Sequence, residues 1–121
     1  MVQHIVLLKL KPGVTDDDVM EVFRAGKNLA DDIPGVIRWT IGMDRSQPEH
    51  GFTLASITYV EDDDALREYL ASPVRRRYIE EHVDPITDQR IELDVPVEGT
   101  HRPTEGITSW SWAGSVQALA E

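Results

Sequence analysis

The sequence predicts an α+β domain, a four-stranded antiparallel sheet with its helices on one face, in the order βαββαβ. Two observations carry this. First, residues 2–10, 36–43, 52–60 and 90–95 are runs of strand length rich in Val, Ile, Leu and Thr. Second, two acidic starts, at Thr15-Asp16-Asp17-Asp18 and Glu61-Asp62-Asp63-Asp64, each open a stretch of helical spacing that follows one strand and precedes another. The segments "TDDDVMEVF" and "EDDDALREYL" echo one another. Two such units give the ferredoxin-like split arrangement.

Taken in order, "VQHIVLLKL" reads as a strand buried at least partly on both faces. Period two puts His4, Val6, Leu8 and Leu10 on one side and Ile5 and Leu7 on the other. The opening lacks a basic leader and a small-residue cleavage site, so it reads as a first strand and not as a signal peptide. In the first helix Val19, Val22, Phe23, Gly26, Leu29, Ala30 and Ile33 form one apolar stripe. Gly26 interrupts it, which either permits close packing or leaves room for a ligand. "IPG" ends that helix. In the second helix Ala65, Leu66, Tyr69 and Leu70 turn inward. Ile5, Leu7, Trp39, Ile41, Ala55 and Ile57 are expected on the face away from the helices. That face is too apolar to stay wet, and a second copy of the chain is its simplest cover.

The domain is expected to span residues 1–96. Residues 97–121 form a C-terminal extension: "EGTHRPTEG" reads as a linker, "ITSWSW" alternates so that Trp110 and Trp112 share a side, and "SVQALAE" has helical character. Two tryptophans in such an extension predict docking on the barrel or on a partner subunit.

Composition excludes several function classes. A net charge of −10 argues against nucleic acid or an anionic membrane as partner. No apolar run approaches the roughly 18 residues of a membrane span. The chain has no cysteine, so thiol nucleophiles, disulfides and thiolate metal sites are ruled out, in keeping with a cytoplasmic protein. No His, Asp and Glu spacing matches a metal motif, and there is no glycine-rich phosphate loop and no nucleophile elbow.

The informative stretch is "YLASPVRRRYIEEHVDPI", residues 69–86, where Pro73 restarts a helix and Pro85 limits it. On a helical wheel Val74, Tyr78, Ile79, Val83 and Ile86 cover one half, Arg75 and His82 fall near the middle of that half, and Arg76 and Arg77 point outward. An inward arginine needs an anion. Either a substrate supplies it, or a carboxylate of the domain such as Asp94 does. His82 and His4 are each either core histidines bonded to a local partner or bases for catalysis, since imidazole is suited to proton transfer near neutral pH.

These segments, with "IPGV", "FTLASITYV" and a closing "LDV", resemble the stress-responsive α/β-barrel (Dabb) family over about residues 2–96. The resemblance implies a dimeric α+β barrel. It also implies activity of the type shown by the plant olivetolic acid cyclase, which closes a linear polyketide by an aldol step without a cofactor. By resemblance, His4, Tyr69 and Asp94 match the first-strand histidine, the pocket tyrosine and the orienting aspartate. The family's "HPxH" run reads "SPVR" here, with Ser72 and Arg75 in its two histidine positions. Arginine cannot act as a base but holds a carboxylate or oxyanion. The expected catalytic set is therefore His4, Tyr69, His82 and Asp94. Arg75, Tyr78, Gly26 and Phe23 are expected to line the substrate site, with no metal and no cofactor. The expected partners are a second copy of the chain and a small anionic or polyketide-like carbonyl compound. The competing readings are a non-catalytic dimer that binds a ligand or responds to stress, and a cofactor-free monooxygenase of the wider dimeric α+β barrel group.

Overall fold

The computed structural model describes residues 1–100 in full and the backbone of residues 101 and 110–112. Its main elements are β1 (Val2–Leu10), α1 (Asp16–Asp32), β2 (Val36–Met43), β3 (Phe52–Val60), α2 (Asp63–Ala71), α3 (Pro73–Tyr78) and β4 (Thr87–Pro96). The four strands form one antiparallel sheet in the order β2-β3-β1-β4, as the ferredoxin-like reading requires. A short hairpin, β5 (Gly99–His101) with β6 (Trp110–Trp112), follows. Residues 99–101 are thus strand where a linker was expected. The helical reading of "SVQALAE" falls outside the described residues.

The helix starts follow from local chemistry. Thr15 accepts from the Asp18 amide at 3.2 Å while the Asp18 carboxylate accepts from the Thr15 amide at 2.9 Å, a reciprocal capping box. Asp62 caps α2 through the Ala65 amide at 2.8 Å. Ser72 caps α3 through the Val74 amide at 3.2 Å, and Pro73 takes the first helical position, where its missing N–H costs nothing. The turn before β2 depends on Gly35, whose φ is +84° and where a Cβ would lie 2.7 Å from that of Ala65. Gly35→Ala is therefore expected to cost about 1–3 kcal/mol of stability, measured by urea denaturation.

Cross-strand register decides which face each strand residue takes. One row on the helix side runs Trp39, Thr58, His4, Asp94, and the next runs Ile41, Ser56, Val6, Glu92. The alternate rows, Thr40-Ile57-Ile5-Leu93 and Gly42-Ala55-Leu7-Ile91, line the open face. Ile5, Leu7, Ala55 and Ile57 lie where expected, but Trp39 and Ile41 lie under the helices. Period two within β2 says only that these two agree with each other. Their face is set by pairing with β3, which includes a register shift between Val36 and Arg38.

Two clusters make the core between sheet and helices. Val2, Leu29, Ile33, Val60, Ala65 and Tyr69 form one, and Leu8, Val19, Val22, Leu54, Val83 and Ile86 the other. Leu70, expected inward, is exposed. The indole of Trp39 lies against Gly26, where any side chain would overlap the ring. Gly26 therefore serves close packing and opens no space for a ligand. Phe23 packs against the second cluster.

Candidate active site

β1 and β4 bring the polar groups together. Their pairing sets His4 opposite Asp94, and the His4 Nδ1 lies 2.6 Å from Asp94 Oδ1. A carboxylate only accepts, so Nδ1 carries the proton, and in the neutral ring Nε2 then presents a lone pair. His4 is only 2% exposed, and Nε2 makes no hydrogen bond. Its nearest charged neighbour is Glu92 Oε1 at 3.5 Å, which does not line up as a hydrogen bond. A buried imidazole with one nitrogen fixed and the other free is oriented as a base.

Around it stand Tyr69 and Arg75. The Tyr69 ring meets His4 edge-on at 5.6 Å, and its hydroxyl shares a 3.0 Å hydrogen bond with Thr58 Oγ1. Arg75 lies over the Tyr69 ring at 5.4 Å and donates to Glu92 Oε1 at 3.0 Å. Its side chain is 14% exposed, so the arginine does point inward. Its counter-ion is Glu92, whereas Asp94 serves His4. Strand spacing explains the difference: β4 presents Arg90, Glu92 and Asp94 to the helix side in turn, and Arg75 faces the middle one. Glu92 was not anticipated as a site residue. The signal was available, since it shares parity with Asp94 in "RIELDV".

His4, Tyr69, Arg75 and Glu92 border a partly open cavity with about 30 Å³ of free volume, space for one or two waters. Its walls are mostly apolar, from Val6, Leu8, Val22, Leu29, Ile41, Leu54 and Val83, and Tyr78 closes one side. The Tyr78 hydroxyl is already engaged, donating to the Val22 carbonyl at 3.3 Å. Phe23 and Gly26 are not among the lining residues.

His82 does not join this group. After Tyr78 the chain makes a π turn over Ile79–Val83 and then a short 3-10 turn over Asp84–Ile86. A π turn advances less per residue than the α projection assumes: Val83 and Ile86 still reach the core, but His82 is turned out of the apolar half. His82 comes out on the surface, 28% exposed, in a groove with Asn28, Asp32, Arg77 and Glu81. The expectation that His82 joins His4 in one pocket is corrected: its side chain is half-buried in a separate groove. Among the described residues no group of three or more His, Cys, Asp or Glu is placed to hold a metal, and no helix is long and apolar enough to cross a membrane.

Burial raises the Tyr69 pKa, with Thr58 and Arg75 opposing, and burial also raises that of Tyr78. The folded state thus holds both phenolic protons more tightly than the unfolded chain. Their contribution to stability is intact below about pH 10 and is lost as pH rises beyond it. Urea midpoints are expected to fall above that pH, and to fall less steeply in Tyr69→Phe. An unchanged slope in the variant would remove Tyr69 from the effect.

The fold and the cluster define a small ferredoxin-like α+β protein with a mostly apolar cavity bordered by an oriented histidine. Residues 2–97 match the family model of the stress responsive A/B barrel domain, Dabb, and the chain belongs to that family. A stress-response A/B barrel domain-containing protein of Arabidopsis thaliana is 32% identical over 88 residues, 72% of this chain. The chain spans about a third of that relative's length (32%). Among solved structures, a dimeric ferredoxin-like protein of unknown function from Thermobifida fusca has 24% identity and a TM-score of 0.68, covering 77% of this chain and 87% of that one. A hydroxynitrile lyase from Passiflora edulis has 21% identity and a TM-score of 0.68, covering 77% and 89%. SnoaB, a cofactor-independent oxygenase from Streptomyces nogalater, has 17% identity and a TM-score of 0.64, covering 78% and 90%. At these identities the likeness to the solved structures shows the fold. The same fold thus carries enzymes and proteins of unknown function.

Proposed function

We propose that this chain is a cofactor-independent enzyme that moves a proton beside the carbonyl of a small compound, in a polyketide cyclase-like aldol closure or a related step. The observation that carries the reading is the buried, unpartnered Nε2 of His4, with Nδ1–H held by Asp94. In this reading His4 takes the proton and Asp94 fixes the tautomer and supports the imidazolium. Tyr69 donates to the carbonyl oxygen, and Arg75 stabilises the enolate or another oxyanion. The test is deuterium wash-in beside the ketone of 4-oxopentanoate, and of a panel of small keto acids and β-keto thioesters, in heavy water. Wash-in that exceeds the buffer rate and depends on His4 supports the reading. Its absence across the panel overturns it in favour of a ligand-binding dimer without chemistry, a second reading that the small free volume favours.

The site is proposed to work within a homodimer. The open face carries Ile91, Leu93 and Val95, each at least 40% exposed, beside Ile5, Leu7 and Ile57. An apolar sheet face of this extent needs a cover, and the solved Thermobifida fusca relative is described as dimeric. Leu93→Glu is expected to convert the dimer to monomer by sedimentation. A variant that stays dimeric places the interface elsewhere. The extension over residues 97–121 is proposed to dock on the barrel or on the partner subunit.

A further inference from the structure

One carboxylate oxygen stands between Arg75 and His4. Glu92 Oε1 is 3.0 Å from Arg75 Nη2 and 3.5 Å from His4 Nε2. These are the two groups that an anionic ligand would meet. The ion pair also marks a boundary. Arg75, Ile79, Arg90 and Glu92 line the inner cavity and, on their other side, an outer groove of about 230 Å³ bordered by Leu70 and Arg76. The cavity alone is too small for an organic ligand, so a ligand must separate Arg75 from Glu92 and occupy both spaces. Glu92 is free to leave, because its side chain is 37% exposed on an edge strand and water can replace Arg75 around it. Arg75 is largely buried over the Tyr69 ring and needs another anion once Glu92 has gone.

We propose that Glu92 occupies the anion subsite of this chain, and that the natural ligand is a small organic acid. Its carboxylate displaces Glu92 from Arg75 while its apolar or keto end enters the cavity beside His4. Glu92 then sets specificity by competition. It excludes neutral compounds, which cannot compensate for the broken ion pair, and admits acids, which replace it on the guanidinium. The inference rests on the cavity being a ligand site, as proposed above, and not on catalysis there.

Calorimetric binding of 4-oxopentanoate, with its neutral amide as control, tests this on the full chain. Glu92→Gln removes both the ion pair to be broken and the competing charge, and is expected to tighten 4-oxopentanoate at least tenfold and the amide by less, since only the acid also escapes the repulsion of Glu92. Arg75→Gln in the Glu92→Gln background is expected to abolish that gain. In the wild-type protein, the side-chain carboxylate carbon of Glu92, followed by ¹³C NMR, is expected to shift on addition of the acid and not of the amide. This measurement decides the matter even where a variant fails to fold. Equal acid affinity in wild type and Glu92→Gln, an amide that binds the wild-type protein as tightly as the acid, or a silent Glu92 resonance would each overturn the proposal. Binding without deuterium wash-in would uphold the Glu92 subsite and sink the enzyme reading. Wash-in that is indifferent to Glu92 would do the reverse.

Discussion

His4→Ala is expected to cut deuterium wash-in by about 10²–10⁴-fold on whichever keto compound the wild-type protein labels, the usual contribution of a positioned base. The expectation is specific to this histidine. His4 has one nitrogen held at 2.6 Å by Asp94 and the other free in the cavity, whereas His82 stands on the surface. His82→Ala should therefore stay within about twofold of wild type, with mass spectrometry of the labelled product as the readout for both. The His4 variant should still fold. Removing one partner of a buried hydrogen bond is costly when the other is stranded, but the Asp94 and Glu92 side chains are 42% and 37% exposed, so water can serve both. Loss of wash-in with a native circular dichroism spectrum then reports on chemistry. Retention in His4→Ala would remove the base from the proposed mechanism.

Leu29→Ala is expected to lower the free energy of unfolding by about 2–5 kcal/mol, the range for emptying a buried leucine site. Leu29 on α1 is 2% exposed and packs with Val2, Ile33, Val60, Ala65 and Tyr69, of which Val2 and Val60 are held in the sheet and resist moving to close the void. Its side chain also borders the cavity below His4. The loss should fall near the upper end of the range if the new space joins the existing cavity without collapse. Met20→Ala on the same helix, where the side chain is largely exposed, should change stability by only about 0.5 kcal/mol. Urea denaturation of both variants checks the contrast, and similar values for the two would mean that α1 shifts to fill the gap.

The fold was legible because strand and helix signals do not overlap in this chain. Each acidic helix start sits between two β-branched runs, and the structure keeps the predicted bounds of β1, β2 and β3. The inward side of β1, and with it His4, was readable from alternation alone. Properties set by pairing were not. The face of Trp39 and Ile41 depends on β2–β3 register, and the exchange of Asp94 for Glu92 as the partner of Arg75 depends on where α3 crosses β4. His82 was misplaced for a different reason: a π turn leaves no mark in the apolar spacing, and the wheel that correctly turned Arg75, Val83 and Ile86 inward fails at His82 between them. Gly26 was readable only as an alternative between packing and space, and Trp39 decides it.

The hydrogen bond between the Val97 amide and the Met1 carbonyl, at 3.0 Å, has a topological consequence. Because β1 and β4 are antiparallel neighbours, Val2 lies opposite Pro96, and the two ends of the family domain are adjacent. A linker of a few residues would join them into a ring without disturbing a strand. New ends could then be opened in the exposed segment between β2 and β3, at residues 44–50, far along the chain from His4, Arg75 and Glu92. A circularly permuted domain would keep His4, Arg75 and Glu92 on unbroken strands and helices.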